Sequence, residues 1–451
     1  MRVWGLMPRL GTPLACPDVP RGETPNHTPN QMILGIEALN PHQRANTRDP
    51  SIENPWRGEG SYRLRIAIWV GAAVKGSEPE IVRGKTIYIE EGVIAGIYNG
   101  YTIDGEADIT IDLREGIILP PLVNLHTHTA DMGFMELASD LDIDSIVGEP
   151  YGAKYIALRA RRGEIPRYIS RFLETQREAG VGYVADFREG GEEGILQGLE
   201  GSKGFEGIYI PMAMPLNIDS ELLEKEVENL LRITRWIGIS SPHYYGEDQL
   251  KAINNIAERL GGFIASHVAE TEETRSEGDY EMIRDLERLR LVIHGVYLGE
   301  EELSELASRS VGLAICPRSN MWFSRPPYLK KILNSGIKIG IGSDNGGWVK
   351  PDLWRDMETL LLIARQQGVD IDPMRIIRAA TIEGGEILGY ENYIEEGARA
   401  NIIGIKSPWI DLRYVANIPY AIVKRGGPES IRIAIMDGKP IKIDKETIYI
   451  H

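Results

Sequence analysis

The sequence predicts an α/β protein: a (β/α)8 barrel with a small discontinuous β-sandwich built from both chain ends. Three observations lead there. Residues from about 118 to 390 alternate short apolar runs with amphipathic stretches, the pattern of parallel strands joined by helices. The flanks read instead as β-type runs broken by turn residues, and two such flanks can pair into one small domain. Histidines and acidic residues gather where the apolar runs of the middle end, and that end of a barrel's strands is the face that carries active sites.

The chain has room for this architecture. Its 451 residues accommodate a barrel of about 250 residues and a smaller companion. Apolar residues make up 42% and charged residues 26%, a globular composition rather than a disordered one. Residues 1–60 are the exception: they hold nine of the 26 prolines and no sustained period, which predicts an irregular extension in which His27 and His42 are surface polar residues.

The sandwich is expected over 61–117 and 391–451. Its first part begins with Arg65-Ile66-Ala67-Ile68-Trp69-Val70, continues with Thr86-Ile87-Tyr88-Ile89, turns at Glu91-Gly92 and resumes with Val93-Ile94-Ala95-Gly96-Ile97, an antiparallel pattern. Its second part is expected to use Ala421-Ile422-Val423, then 431–436, an Asp437-Gly438 turn and Ile441-Lys442-Ile443. Within the barrel, 118–390, eight candidate strands lie at 117–128, 182–186, 207–210, 236–239, 263–267, 291–294, 312–316 and 337–342. Helical spacing of apolar residues fills 221–235, 249–260, 280–289 and 300–309 between them.

The first strand ends in Leu125-His126-Thr127-His128. Alternate strand residues share a face, so the two imidazoles project together as a two-pronged claw. Such a pair is unspecific by itself. It gains weight because His267 ends the fifth strand, His294 ends the sixth, and Asp344 follows the eighth. Three imidazoles and a carboxylate are the ligand types that a borderline divalent ion such as Zn2+ prefers, and a position left for water makes the site catalytic. Glu270 lies three residues beyond His267 and cannot share its strand face, so the chain must turn and bring this carboxyl over the mouth, where it would serve as a proton shuttle.

These pieces resemble the amidohydrolase superfamily, and within it the mononuclear branch of cytosine, guanine and S-adenosylhomocysteine deaminases and related chlorohydrolases. The matching segments are Leu119-Pro120-Pro121-Leu122-Val123-Asn124-Leu125-His126-Thr127-His128, His267-Val268-Ala269-Glu270-Thr271, Ile293-His294, Cys316-Pro317-Arg318-Ser319-Asn320, Gly342-Ser343-Asp344-Asn345 and Arg378-Ala379-Ala380-Thr381. The resemblance covers about 64 to 445. It implies that His126, His128, His267 and Asp344 bind one divalent transition metal, Zn2+ or Fe2+. It further implies that Asp344 takes a proton from the metal's water, that His294 hydrogen-bonds the resulting hydroxide, and that Glu270 protonates a ring nitrogen and then the leaving group. Such a metal lowers the pKa of its water toward about 7. The activity implied is an aminohydrolase acting on a purine, pyrimidine or similar ring with release of ammonia. The alternatives are a hydrolase of the same scaffold that breaks a C–Cl bond or another C–N bond, in an imidazolone or cyclic amide, and a catalytically silent scaffold relative.

Departures bear on substrate. Where the branch carries His-Ala/Ser-Pro after the fourth strand, this chain reads Ser240-Ser241-Pro242-His243. Arg188, His243, Arg318, Asn320 and Trp348 are the candidates for binding substrate, with Glu189, Trp322 and Phe323 beside them. A dinuclear site bridged by a carboxylated lysine is disfavoured, since 236–244 contains no Lys. Cysteine-ligated zinc deaminases are excluded by only two cysteines, Cys16 and Cys316, which also fit a reducing cytoplasm. A net charge of −16 argues against nucleic acid or an anionic membrane as partner, and no apolar run is long enough to span a bilayer. The expected partner is a small-molecule substrate, and a homo-oligomer is compatible with that expectation.

Overall fold

The computed structural model describes residues 64–102, 107–137 and 140–450; the expected extension over 1–60, with His27 and His42, lies outside the described residues. The chain begins with a meander of β1 (Ile66–Lys75), β2 (Glu80–Glu90) and β3 (Val93–Asn99), in antiparallel register from Ile66 opposite Ile89 to Lys85 opposite Asn99. Glu91 and Gly92 both take positive φ, 52° and 82°, which gives the tight turn between β2 and β3 a twist that matches its strands. β4 (Ile109–Leu119) then runs parallel to β1, so the sheet is mixed rather than purely antiparallel. Its buried Ile111, Leu113, Ile117, Ile118 and Leu119 suit the interior of the sheet and not an edge beside β3.

The barrel follows: β5 (Leu122–His128), β6 (Val181–Arg188), β7 (Ile208–Ala213), β8 (Trp236–Ile239), β9 (Phe263–Val268), β10 (Leu289–His294), β11 (Gly312–Ile315), β12 (Ile339–Ile341) and the two-residue β13 (Asp344–Asn345). Neighbours in this series are parallel from β5 to β12. β13 then pairs with β5, Asp344 opposite Thr127, and closes the ring. Buried Asn124 reinforces the closure: its Nδ2 donates to Ser343 Oγ at 2.8 Å and its Oδ1 accepts from the Ser343 N–H at 3.0 Å. All residues of β5, β6, β8 and β11 are buried, as expected of parallel strands covered on both faces. The outer helices include Ser220–Ile233, capped by Asp219, and Leu353–Gln366, capped by Asp352. The helix expected over 280–289 is shorter, Asp279–Ile283, because Leu289 already belongs to β10.

β14 (Ile402–Ile405), β15 (Ile431–Met436), β16 (Lys439–Ile443) and β17 (Ile448–Ile450) return to the first sheet, in the order β16-β15-β14-β4-β1-β2-β3 with β17 on β4. Both chain ends therefore share one eight-stranded sheet with an isoleucine-rich core that includes Ile66, Ile68, Ile87, Ile111, Ile402 and Ile433. The strand expected at Ala421-Ile422-Val423 is instead part of a helix, Ile418–Arg425. Asn417 caps it by accepting from the Tyr420 N–H at 3.1 Å, Pro419 occupies its first turn, and Ile418, Ala421 and Ile422 recur at helical spacing on its buried face. Among the described residues no helix is long and apolar enough to cross a membrane.

Candidate active site

Strand alternation directs His126 and His128 into the barrel mouth and Thr127 outward, where its Oγ1 donates to the Asp344 carbonyl at 2.9 Å and holds β13 in place. Left-handed backbone at three points aims the other groups: Ala269 (φ 49°) turns the chain between His267 and Glu270, and His294 (φ 68°) and Asp344 (φ 56°) take the same conformation at their strand ends. Non-glycine residues hold such angles at a cost, on the order of 1–3 kcal/mol, and only where the surroundings impose them.

The result is a tight constellation. His126 Nε2 lies 3.1 Å from Asp344 Oδ1 and 3.3 Å from His267 Nε2; His128 Nε2 lies 3.7 Å from the same Asp344 oxygen. Phe187 floors the site, its ring 4.8 Å from that of His126 and 4.7 Å from that of His267. Glu270 Oε2 is 3.5 Å from His294 Nε2. Burial holds the His126 and His267 imidazoles below their usual pKa, and it pushes His294 down to about 3. Burial would raise the Asp344 carboxyl, but its hydrogen bond to His126 and the neighbouring imidazoles hold it well below the usual range. Burial, and then the charge of Asp344, push Glu270 up to about 8. The site therefore offers neutral imidazoles at His126, His267 and His294, an ionised Asp344 and a protonated Glu270 at neutral pH.

The far sides of the rings sort the histidines. His267 Nδ1 faces the Ile239 carbonyl at 3.2 Å and His128 Nδ1 faces Glu189 Oε1 at 2.6 Å, both acceptors, so each ring carries its proton on Nδ1 and turns the Nε2 lone pair to the mouth. His294 is opposite in sense. The Asn320 amide Nδ2 donates to its Nδ1 at 2.9 Å, which leaves the proton on Nε2, directed at Glu270.

This donor set fits a divalent cation. Lone pairs of buried imidazoles converge with a carboxylate, the ligand types of Zn2+ and related ions.

The residues expected to bind substrate fare differently. Arg188 is fully buried and paired with Asp186 and Glu189, so its guanidinium is an internal strut rather than a substrate ligand. Arg318 clasps Asp356 at 2.9 and 2.8 Å and also donates to the carbonyls of Lys350 and Asp352, which ties it to the helix behind the mouth. Asn320 is spent on His294. His243 lies in the short helix Pro242–Tyr245 with Nε2 3.8 Å from the exposed Glu277. Trp348 keeps a place at the wall, its ring edge-on to Phe323 at 4.6 Å and its Nε1–H donating to Ser319 Oγ at 3.0 Å. Ser319 in turn donates to Asp344 Oδ2.

Sequence reasoning missed Ser319, Asp131, Lys154 and the pairing of Ser240 with Glu149. Of these, only Ser319 carried a local signal, its place between Arg318 and Asn320 in the strand-seven segment. Asp131, Lys154 and Glu149 come from the excursion after β5, which shows no periodicity pointing inward, and Ser240 lies just past β8 in the segment that departs from the branch's pattern.

Comparison with known proteins finds relatives of the sequence and of the fold. Residues 117–440 match the amidohydrolase family. A 5-methylthioadenosine/S-adenosylhomocysteine deaminase of Thermococcus onnurineus is 26% identical over 85% of this chain and 95% of its own length. Among solved structures, a zinc-bound adenosine deaminase from Xanthomonas campestris superposes with a TM-score of 0.70 at 17% identity, covering 86% of this chain and 95% of that one. A zinc complex of atrazine chlorohydrolase from Arthrobacter aurescens gives 0.71 at 15% identity, covering 84% and 95%.

Proposed function

Because the chain belongs to the amidohydrolase family, we propose that it is a metal-dependent aminohydrolase that removes an amino group, as ammonia, from a small heterocycle such as a purine or pyrimidine. It is a hydrolase of carbon–nitrogen bonds other than peptide bonds, in keeping with its deaminase-named relatives. The observation that carries the finer reading is the placement of a protonated carboxyl, Glu270, 3.5 Å from the neutral imidazole of His294 and beside the ionised Asp344.

His126, His128, His267 and Asp344 would hold the metal, and Zn2+ suits three nitrogens and one oxygen best. When bound, such an ion supplies Lewis acidity and lowers the pKa of a coordinated water toward about 7. The chain supplies the proton steps. Ser319 occupies Asp344 Oδ2, so Oδ1 is the oxygen that can take a proton from the attacking water. Glu270 delivers its proton to the ring nitrogen as negative charge builds there. It is recharged by the proton that Asp344 took from the water and passes that proton to the departing amine. The hydroxyl proton of the tetrahedral adduct then returns to Glu270 as the C–N bond breaks and the carbonyl forms. His294, fixed by Asn320 with Nε2–H toward the mouth, donates a hydrogen bond to the oxygen that attacks. Phe323 and Trp348, set edge to face, offer aromatic surface on which a planar ring could pack.

The test is an ammonia-release screen of metal-analysed protein across amino-substituted purines, pyrimidines and pterins. Turnover with one ammonia per product supports the reading. Release of halide from chlorinated rings, or opening of an imidazolone or cyclic amide without ammonia, would assign the chain to those hydrolases instead.

A further inference from the structure

Behind the metal-facing rings lies a second, buried layer of charge whose members take no proton in the chemistry above. Glu189 follows the last residue of β6, and the left-handed Gly190 (φ 99°) and Gly191 (φ 57°) then turn the chain into the helix Gly191–Gly201. One Glu189 oxygen, Oε1, accepts from His128 Nδ1 at 2.6 Å and from Lys154 Nζ at 2.5 Å; the other accepts from Arg188. Lys154 also reaches Asp131 Oδ2 at 3.1 Å, and Asn345, next to Asp344 on β13, donates to that same oxygen. The side chains of Glu189, Lys154 and Asp131 are 3%, 5% and 2% exposed.

The layer joins three parts of the chain. His128 ends β5 and Asn345 lies in β13, so two of the strand ends that carry metal-facing donors are anchored to it. Lys154 lies in the helix Ala153–Ala160, inside the 129–164 excursion, described over 129–137 and 140–164, that lies between β5 and the helix Ile165–Glu178. Of that helix only Lys154, Tyr155 and Leu158 are buried, and Lys154 is its one buried charge. Taking an ammonium group out of water is costly, and apolar residues of similar volume are often as stabilising as a buried ion pair. Packing alone would be served as well by Met or Leu at this position. A lysine there makes sense if its charge acts on Glu189 and, through Glu189, on the imidazole.

We propose that Glu189 is a positioning residue that fixes the orientation and Nδ1–H tautomer of His128 for metal binding, and that Lys154 is the latch through which the bound metal secures the 129–164 excursion. The inference rests on the reading of His126, His128, His267 and Asp344 as metal ligands. Without the carboxylate, His128 is free to rotate or to move its proton to Nε2, and either change removes one donor from the mouth. Without Lys154, Glu189 keeps its bond to His128 and its partner Arg188, but the excursion loses the ion pair that joins it to Glu189.

The experiment is a competitive chelator titration with Zn2+ on metal-stripped wild type, Glu189→Gln, Lys154→Met and the Lys154→Met/Glu189→Gln double variant. Each protein is also subjected to limited proteolysis with and without Zn2+. Glu189→Gln should weaken zinc binding roughly 10- to 100-fold, the range expected on loss of a carboxylate behind a ligating histidine. The double variant, which loses one charge of each sign, should show the same weakening and carries the measurement if the single variant does not fold. Zinc should protect the 129–164 excursion from cleavage in the wild type and fail to do so in Lys154→Met at saturating zinc. Zinc affinity in Glu189→Gln and the double variant within about twofold of wild type would overturn the positioning role. Equal zinc protection in Lys154→Met would overturn the latch. A wild-type protein that binds no divalent metal would instead sink the underlying metal reading, an outcome distinct from both.

Discussion

Glu270 Oε2 and His294 Nε2 face each other at 3.5 Å across the barrel mouth, a carboxyl held protonated opposite an imidazole held neutral. The pair brings a proton donor and a hydrogen-bond donor to the same edge of the site without either being a ring that turns its lone pair to the mouth. In the proposed mechanism metal binding by the three histidines and proton delivery by Glu270 fall on separate residues, which can be tested separately.

Glu270→Gln preserves shape and removes the titrating proton. It should retain bound metal while kcat falls by roughly 10²- to 10⁴-fold, the usual contribution of a positioned acid–base group. His126→Ala should do the reverse in kind, losing the metal itself. Metal content by elemental analysis, measured beside kcat, separates the two; unchanged turnover in Glu270→Gln would remove the proton-transfer role.

The raised pKa of Glu270 makes a stability statement about the metal-free protein. Its carboxyl titrates near 8 when folded and near the ordinary 4.5 when unfolded, so between those values the folded state binds the extra proton. Unfolding free energy should therefore fall as pH rises from about 5 to 8 and level off above. Denaturant titrations of metal-stripped wild type and Glu270→Gln across that range should show the wild type losing more stability than the variant. Parallel curves would contradict the shift.

Asn320 sets the tautomer of His294 by donating to Nδ1. Asn320→Asp is nearly isosteric but presents only acceptors, which draws the ring proton to Nδ1 and turns a lone pair toward Glu270. A loss in kcat of about tenfold or more is expected, with metal content unchanged. Imidazole nitrogen shifts by NMR would report the tautomer directly, and a ring still protonated on Nε2 in the variant would refute the account.

Gly194 supports the same region from behind. A Cβ there would sit 1.8 Å from the Glu189 carbonyl oxygen and 2.8 Å from its carbonyl carbon, and backbone cannot give way as a flexible side chain can. Gly194→Ala should destabilise the protein by about 1–3 kcal/mol through overpacking, lowering its thermal midpoint. An unchanged midpoint would show that the β6 end is more yielding than its packing indicates.

Much of the architecture is legible in the chain because periodicity reports burial. The apolar runs within β5, β6, β8 and β11 stand out from the amphipathic helices between them, and Glu91-Gly92 and Asp437-Gly438 announce their turns. Three consecutive apolar residues carry no period of their own, and so Ala421-Ile422-Val423 reads as a strand until Asn417 and Pro419 are seen to start a helix. The parallel pairing of β1 with β4 is equally invisible, since strand partners are chosen across distance and not by neighbours in sequence.

The candidate site divides along the same line. Strand alternation and strand ends were enough to single out His126, His128, His267, His294, Asp344 and Glu270, because a barrel delivers the ends of its strands to one mouth. What the sequence could not decide was which charged residues look into that mouth and which look away. Arg188 and Arg318 have the composition of substrate ligands, yet the fold saturates both with internal carboxylates, and Lys154, unremarked in a stretch without period, is drawn inside to Glu189. Direction along a strand is local and written in the chain; the partner of a buried charge is set by which segments fold back against it, and only the tertiary structure decides that.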